Sequence, residues 1–413
     1  MAYTAGSPKD TANLTADRRT YDIKLGDKIH ELWKPSMVPF FTFTTKLRKI
    51  PTGDPKPTKL VHKSGWADRR FFAAGAGSWS SGVISNLAVD NGSGGAVGFL
   101  IPNLMLRIKH AAGGNTTAII SNVDSQTQID LVAVSSSPTN VADNDQIQVI
   151  GTAFARGSDK ATATYDTVTT EYSYTQIFKT VVDVTGTLAA TESFGGSEYE
   201  RLLADKRYEH LTDIERAILF GERGATTVGS DTVYTTYGIV PYIENNSSIS
   251  TVKVPSYSSY TFDDFVYDME DWFTKGGNQA TNEKLCLAGS SVIAFFSKIG
   301  TGSLWSDAQV QIQHGETEWG VHVDTVKHPF GVLHLVHEPL FRGNSTYAFF
   351  KDYMVGVDLE NVELKPLKGN GIDRDTRLVK NLQTSEDKYI DEYRTELALL
   401  PFLAETHALF KFS

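Results

Sequence analysis

One stretch of this chain, SEYERLLADKRYEHLTDIERAILFG at residues 197–221, reads as a single long helix and dictates the layout of what surrounds it. Ser197 and Glu200 make a capping box, Gly195 and Gly196 precede it, and Gly221 closes it. Leu203, Leu211, Ile214 and Ile218 recur at helical spacing, with Tyr199 and Leu202 widening the stripe and Arg207 interrupting it. At 1.5 Å per residue the element is about 36 Å long. A helix of that length with one apolar stripe must lie as a beam across the face of a sheet.

The segments around it supply strands. LMLRIKH, TAIISNV, TQIDLVAV and QIQVI, between residues 100 and 152, alternate with period two and predict a small β module of four strands. GAGSWSSG and DNGSGGAVG, within 75–98, read as glycine-punctuated loops. TATYDTVTTEYSYTQIFKTVVDVTGT predicts a strand pair forming a long β-ribbon.

Beyond the beam, TFDDFVYDMEDWFTK at 261–275 predicts a second helix. Thr261 and Asp264 cap it, Phe265, Met269, Trp272 and Phe273 make its buried face, and Gly276 ends it. GSSVIAFFSKIG predicts a third helix after the buried strand KLCLAG. Strands follow at EWGVHVDTVKH, GVLHLVHEPL, YAFFKDYMVGVDL and KYIDEYRTELALLPFLAETHALFKF. Helices packed on an antiparallel sheet assembled from distant segments make this an α+β chain. Its 413 residues are enough for two or three cores.

The first 65 residues carry one short amphipathic pattern, Ile23, Leu25, Ile29, Leu32 and Trp33, stopped by Pro35. VPFFTFTTKLRKIPTGDPKPTKL then alternates before its prolines, so it reads as an extended arm. Phe40, Phe41 and Phe43 need a surface from the rest of the chain or from a neighbour.

Charge and cysteine content narrow the function classes. A net charge of -10 argues against a dedicated nucleic-acid binder. The charge is uneven: residues 1–70 hold 14 Lys/Arg against 7 Asp/Glu, and the remainder 25 against 42. The single cysteine, Cys286, sits in an apolar run and reads as a buried small hydrophobe. The N-terminus lacks the apolar core of a secretory signal, and no run approaches the ~18 apolar residues of a membrane span. A reducing, cytoplasm-like compartment is expected.

Candidate chemistry is sparse. His328, His334 and His337 suggest a metal set, but His334 and His337 fall on opposite faces of a strand and one ion cannot be held by both. Asp263, Asp264, Asp268, Glu270 and Asp271 suggest paired carboxylates, yet their places in the first turn and on the polar side read as a solvated helix face. GSGGAVG fails the phosphate-loop and dinucleotide spacings, and no G-x-S-x-G elbow exists. No catalytic, cofactor-binding or metal-binding residue is assigned, and no enzymatic activity is expected.

The order of parts, and the stretches DQIQVIGTAFARGSD, YTQIFKTVVDVTGT, SEYERLLADKRYEHLTDIERAILFG, YGIVPYI and TELALLPFLAETHALFKF, resemble the major capsid proteins of tailed bacteriophages, the family sharing the Hong Kong 97 capsid fold. The resemblance covers 145–243 best, with KSGWADRRFF a fainter match. It implies an N-terminal arm at 1–65 and an extended loop at 66–190 carrying an inserted β module at about 100–152. It further implies a peripheral domain at 191–255 with spine helix 197–221, an axial domain at 256–345, and a return to the peripheral domain at 346–413.

The function implied is a major capsid protein assembling through pentamers and hexamers into an icosahedral head shell around double-stranded DNA. Implied partners are further copies of itself, a separate scaffolding protein, a portal, a decoration protein and non-specifically contacted DNA, with no membrane. Its place would be the virion, after synthesis and assembly in the bacterial cytoplasm. An encapsulin-like shell protein or another virion structural protein is the alternative in the same class. A carbohydrate-active enzyme using Trp79, Trp272, Trp305 or Trp319 as a sugar platform is the alternative from another.

Overall fold

The computed structural model describes residues 38–62, 69–92, 94–111, 113–158, 160–163, 168–190, 198–275, 281–301, 311–318, 321–341, 350–380, 382 and 387–413. The expected helix at 23–33, the cap residue Ser197 and the glycines Gly195, Gly196 and Gly276 lie outside them. The chain divides into two units, residues 62–169 and everything else.

The larger unit begins with α1 (Pro39–Leu47) and β1 (Thr58–Val61). The expected extended conformation at VPFFTFTTKL is therefore corrected: the segment is helical, and Phe40, Phe41 and Phe43 are buried in the chain's own core. Pro39 sits at the first helical position, where its missing N–H costs nothing.

In the smaller unit, described strands between residues 70 and 152 fold as a closed barrel. Its strands are β2 (Arg70–Ala73), β3 (Val83–Asp90), β4 (Leu104–Lys109), β5 (Asn115–Ser125), β6 (Gln128–Ala133) and β7 (Gln146–Thr152), in the order β2-β3-β6-β5-β4-β7. The expected four-strand module at 100–152 was thus too small. The glycine-rich stretch hides β3, and β2 and β3 close what would otherwise be an open sheet with unpaired edges. Leu104, Leu106, Ile108, Ala118, Ile120, Ile129, Leu131 and Ile147 fill the interior. At one end His110 Nδ1 and Nε2 bridge Asp145 and Thr116 at 2.7 and 2.8 Å. Asp145 also accepts the backbone N–H groups of Ala111 and Ala142. Burial pushes the Asp145 carboxyl up, but those hydrogen bonds outweigh it and hold it below the usual range.

The chain returns through β8 (Thr169–Tyr172), which pairs with β1, and β9 (Gln176–Thr185). The expected ribbon is corrected here: β9 pairs not with β8 but with the C-terminal strand β22, introduced below. Then come α2 (Gly186–Ala190), α3 (Glu198–Phe220), the hairpin β10 (Gly224–Val228) and β11 (Asp231–Thr235), α4 (Ile239–Asn245), β12 (Thr251–Lys253) and α5 (Phe262–Lys275). They are followed by β13 (Glu283–Ala288), α6 (Ser290–Thr301), β14 (Gln311–Glu318), β15 (Val321–His328), β16 (Gly331–His337) and β17 (Tyr353–Val357). The last elements are β18 (Val362–Pro366), β19 (Lys368–Gly369), β20 (Ile372–Asp373), β21 (Arg377–Val379), β22 (Lys388–Pro401) and β23 (Ala408–Lys411).

Seven strands form a sheet in the order β12-β23-β17-β13-β16-β15-β14. It is mixed, not antiparallel as expected, because β13 runs parallel to β16 and β12 to β23. Its central strands are buried on both faces, which is why KLCLA reads as continuous apolar sequence. Cys286 and Ala288 face one core with Phe265, Met269 and Trp272 of α5 and Val292 and Phe296 of α6. Leu285 and Leu287 face another, with the phenylalanines of α1, Ile214 and Ile218 of α3, and α4. Gly356 is required by close approach: a Cβ there would lie 2.2 Å from the Trp272 ring. A second sheet, β18-β22-β21 with β9 also on β22, completes the unit.

Candidate functional site: a helix pinned across a sheet

The expected beam spans Glu198–Phe220 and packs on β9 and β22. Ile214, Ile218 and Leu219 are buried, while Leu203 and Leu211 are only half-buried. Polar groups fix its position on the sheet. His210, buried, bridges Thr180 on β9 at 2.9 Å and Thr395 on β22 at 2.8 Å. Burial lowers its pKa, so the imidazole stays neutral between two hydroxyls that can each donate or accept. Tyr393 on β22 donates to the Leu203 carbonyl at 3.2 Å, and Tyr199 donates to Asp391. Burial, then the Asp391 bond, pushes the Tyr199 hydroxyl up to about 12.

The helix also holds α1. Both carboxylate oxygens of Glu215 accept backbone N–H groups, from Phe40 at 2.9 Å and Phe41 at 2.7 Å. These are orphan donors of the first turn of α1, and a carboxylate at a helix N-terminus is favourable. Glu215 is fully buried and faces a second carboxyl, Glu338, which follows β16. Burial pushes Glu215 up to about 7, and burial with the Glu215 charge pushes Glu338 well above the usual range. Glu338 Oε1 accepts from Leu340, whereas Oε2 is buried without a donor.

A second buried charge lies under α5. The Lys284 ammonium, wholly buried, donates to the Thr406 carbonyl at 3.0 Å, lies 3.7 Å from Asp358, and sits over the Trp272 ring at 4.9 Å. Burial pushes it down to about 8. Asp358 also accepts from Thr281 and Glu360, so its charge is well satisfied. His407 accepts the Asp358 N–H at 3.2 Å, and burial pushes it down to about 4.

The residues weighed from sequence are scattered. His328 is buried against Phe265 and Phe273 and pushed down to about 4; His334 pairs with Glu283 at 3.7 Å; His337 is exposed. Among the described residues no three His, Cys, Asp or Glu side chains converge on a metal position. The α5 carboxylates are not merely a solvated face. Asp264 caps the helix through Thr261, Asp268 accepts from Tyr260, and Asp268 and Asp271 both pair with Lys253. Burial pushes Cys286 up to about 12. Trp272 is fully buried and unavailable as a sugar platform; Trp79 donates to Thr139 in the barrel; Trp305 and Trp319 lie outside the described residues. Sequence reading missed His210, Glu215, Lys284 and Glu338, because their signal is a polar residue at an apolar position of the pattern. No described helix is long and apolar enough to cross a membrane.

The family model described as SU10 major capsid protein matches residues 8–410. The major capsid protein of Pseudomonas phage PaMx41 is 26% identical over 235 residues, 55% of this chain and 54% of that protein, so the chain spans about half the length of this relative. Among solved structures, the capsid of Myoviridae phage XM1 aligns with 99% of this chain and 100% of its own at 9% identity and a TM-score of 0.44. The capsid of a native GTA particle aligns with 98% and 99% at 8% identity and a TM-score of 0.48. The SrpI encapsulin of Synechococcus elongatus PCC 7942 aligns with 59% and 75% at 11% identity and a TM-score of 0.40.

Proposed function

The chain belongs to the SU10 major capsid protein family, and from that premise we propose that it is the shell subunit of a tailed-phage head, assembling through pentamers and hexamers around double-stranded DNA. The family match over residues 8–410 carries this reading. Its part is mechanical and not enzymatic.

In this proposal α3 is the spine helix of a peripheral domain that includes the β18-β22-β21 sheet and β9, with 346–413 supplying the return strands. The region 256–345 supplies the axial domain. The extended loop expected over 66–190 is cut back to the residues before β9, with the barrel inserted in it, and α1 ties the start of the described chain to the subunit's own core. Exposed apolar side chains on one copy, such as Leu60, Ile177, Val181 and Tyr389, suit burial between copies. Obligate interfaces of this kind bury more than ~2,000 Å². The acidic balance of the chain suits a container whose wall must release its genome. Scaffolding, portal and decoration proteins complete the proposed set of partners. The virion is the proposed location, following assembly in the bacterial cytoplasm.

The test is size-exclusion chromatography and negative-stain microscopy of the purified full chain, alone and with its scaffolding protein. Shells or capsomers are expected. A monodisperse monomer under both conditions would overturn the reading.

A further inference from the structure

The outer surface of the barrel is sorted by charge and carries an apolar row. Its six strands contain six charged residues among them. The three basic ones, Arg70 on β2 and Arg107 and Lys109 on β4, flank β7, and Gln148 of β7 is in register with both Arg70 and Arg107. The three acidic ones, Asp90 on β3, Asp130 on β6 and Asp124 on β5, lie on the three remaining strands. In the circle of six strands, β6 lies opposite β7. One barrel therefore presents a basic face and, across its diameter, an acidic one.

Register also builds a row of outward apolar side chains. Val83 pairs with Val132, Val132 with Ile119, and Ile119 with Met105. The bulge on β7 then leaves Ile150 as the extra residue beside Met105. Val83, Val132 and Ile150 are 37%, 40% and 47% exposed, and Ile119 and Met105 are half-buried. The neighbouring outward positions Arg107, Thr117, Asp130 and Gln148 are polar, so the row is a distinct band reaching both faces.

We infer that the barrel is an assembly module joining neighbouring copies of this chain head to tail, the basic β2-β7-β4 face of one barrel seating on the acidic β3-β6-β5 face of the next. This rests on the shell reading above. Opposite, complementary faces on one body make a heterologous contact, which repeats from copy to copy and closes into rings when its rotation permits. Exposed ion pairs contribute little energy and are screened by salt, so the charges set orientation while the apolar band supplies the contact.

The experiment uses the full chain in three variants: Arg107→Glu with Lys109→Glu, Asp124→Lys with Asp130→Lys, and all four together. Each double variant makes both faces alike in sign, and should lose the shell-sized peak at physiological salt while keeping the wild-type circular dichroism spectrum. The fourfold variant exchanges the two faces in sign and should restore that peak. Assembly of either double variant like the wild type, or failure of the fourfold variant to assemble, overturns the barrel contact while wild-type shells leave the shell reading standing. Absence of wild-type particles is the distinct result that removes the shell reading, and this contact with it.

Discussion

Glu215 on α3 accepts the backbone N–H of Phe41 at 2.7 Å across 174 residues of chain, so α3 caps the first helix of the described chain. Two segments remote in sequence are thereby one structural unit. The neighbouring Glu338 makes that unit sensitive to protons.

The carboxyl pair sets a stability slope at neutral pH. Glu215 has a folded pKa raised to about 7, so its protonated form is favoured in the fold. The stabilisation is present below the unfolded value and is lost as pH rises through about 7. Between about pH 4.5 and pH 8 the loss is on the order of 3 kcal/mol. Glu338→Gln removes the opposing carboxylate and supplies a donor, so its urea midpoint should fall less than wild type between pH 5 and pH 8. Parallel curves for the two proteins would refute the coupling.

Acid acts through the buried histidines. His328 and His407 are both pushed down to about 4, so they are folded as neutral rings. Their contribution is present above the unfolded value near 6.5 and is lost as pH falls toward 4. Acid unfolding of His328→Leu, followed by circular dichroism, should have its midpoint at lower pH than wild type. An unchanged or higher midpoint would count against burial of the neutral ring as the cause.

Gly356 is a packing position and not a hinge. A Cβ added there meets Trp272, which is fully buried and donates to the Thr406 carbonyl at 2.9 Å. Gly356→Ala should destabilise by about 1–3 kcal/mol through overpacking. Thermal melting at pH 7 measures it, and a melting temperature equal to wild type would show that α5 can shift without cost.

The barrel has its own polar lock. Asp145→Ala leaves the buried His110 ring and the part-buried N–H groups of Ala111 and Ala142 without their acceptor, at about 1–3 kcal/mol for the buried His110 donor. Hydrogen exchange should accelerate for barrel amides between 70 and 152 and stay unchanged in β13. Equal acceleration in both would mean that the two units open together.

Local chemistry was enough to read some elements directly. The helix expected over 197–221 spans Glu198–Phe220, because Gly221 and the periodic leucines and isoleucines act within a few turns. The same holds for α5, where Thr261 and Asp264 hydrogen-bond as their spacing requires. The continuous apolar run at β13 announced burial on both faces.

Tertiary structure decided what depends on distant partners. PFFTFTTKL fits period two as well as period 3.6, and its β-branched threonines weaken helix propensity. The helix forms where Glu215 satisfies its N-terminal donors and a core receives its phenylalanines. β9 has the pattern of a ribbon strand, yet its ladder is with β22, more than 200 residues later. The barrel closes only when β2 and β3 join it, and nothing local in a glycine-rich stretch says which edge it will cover. Alternation and caps are properties of neighbours along the chain. Strand partners, buried carboxyl pairs and the sorting of charge around a barrel are properties of neighbours in space, and only the folded chain brings those together.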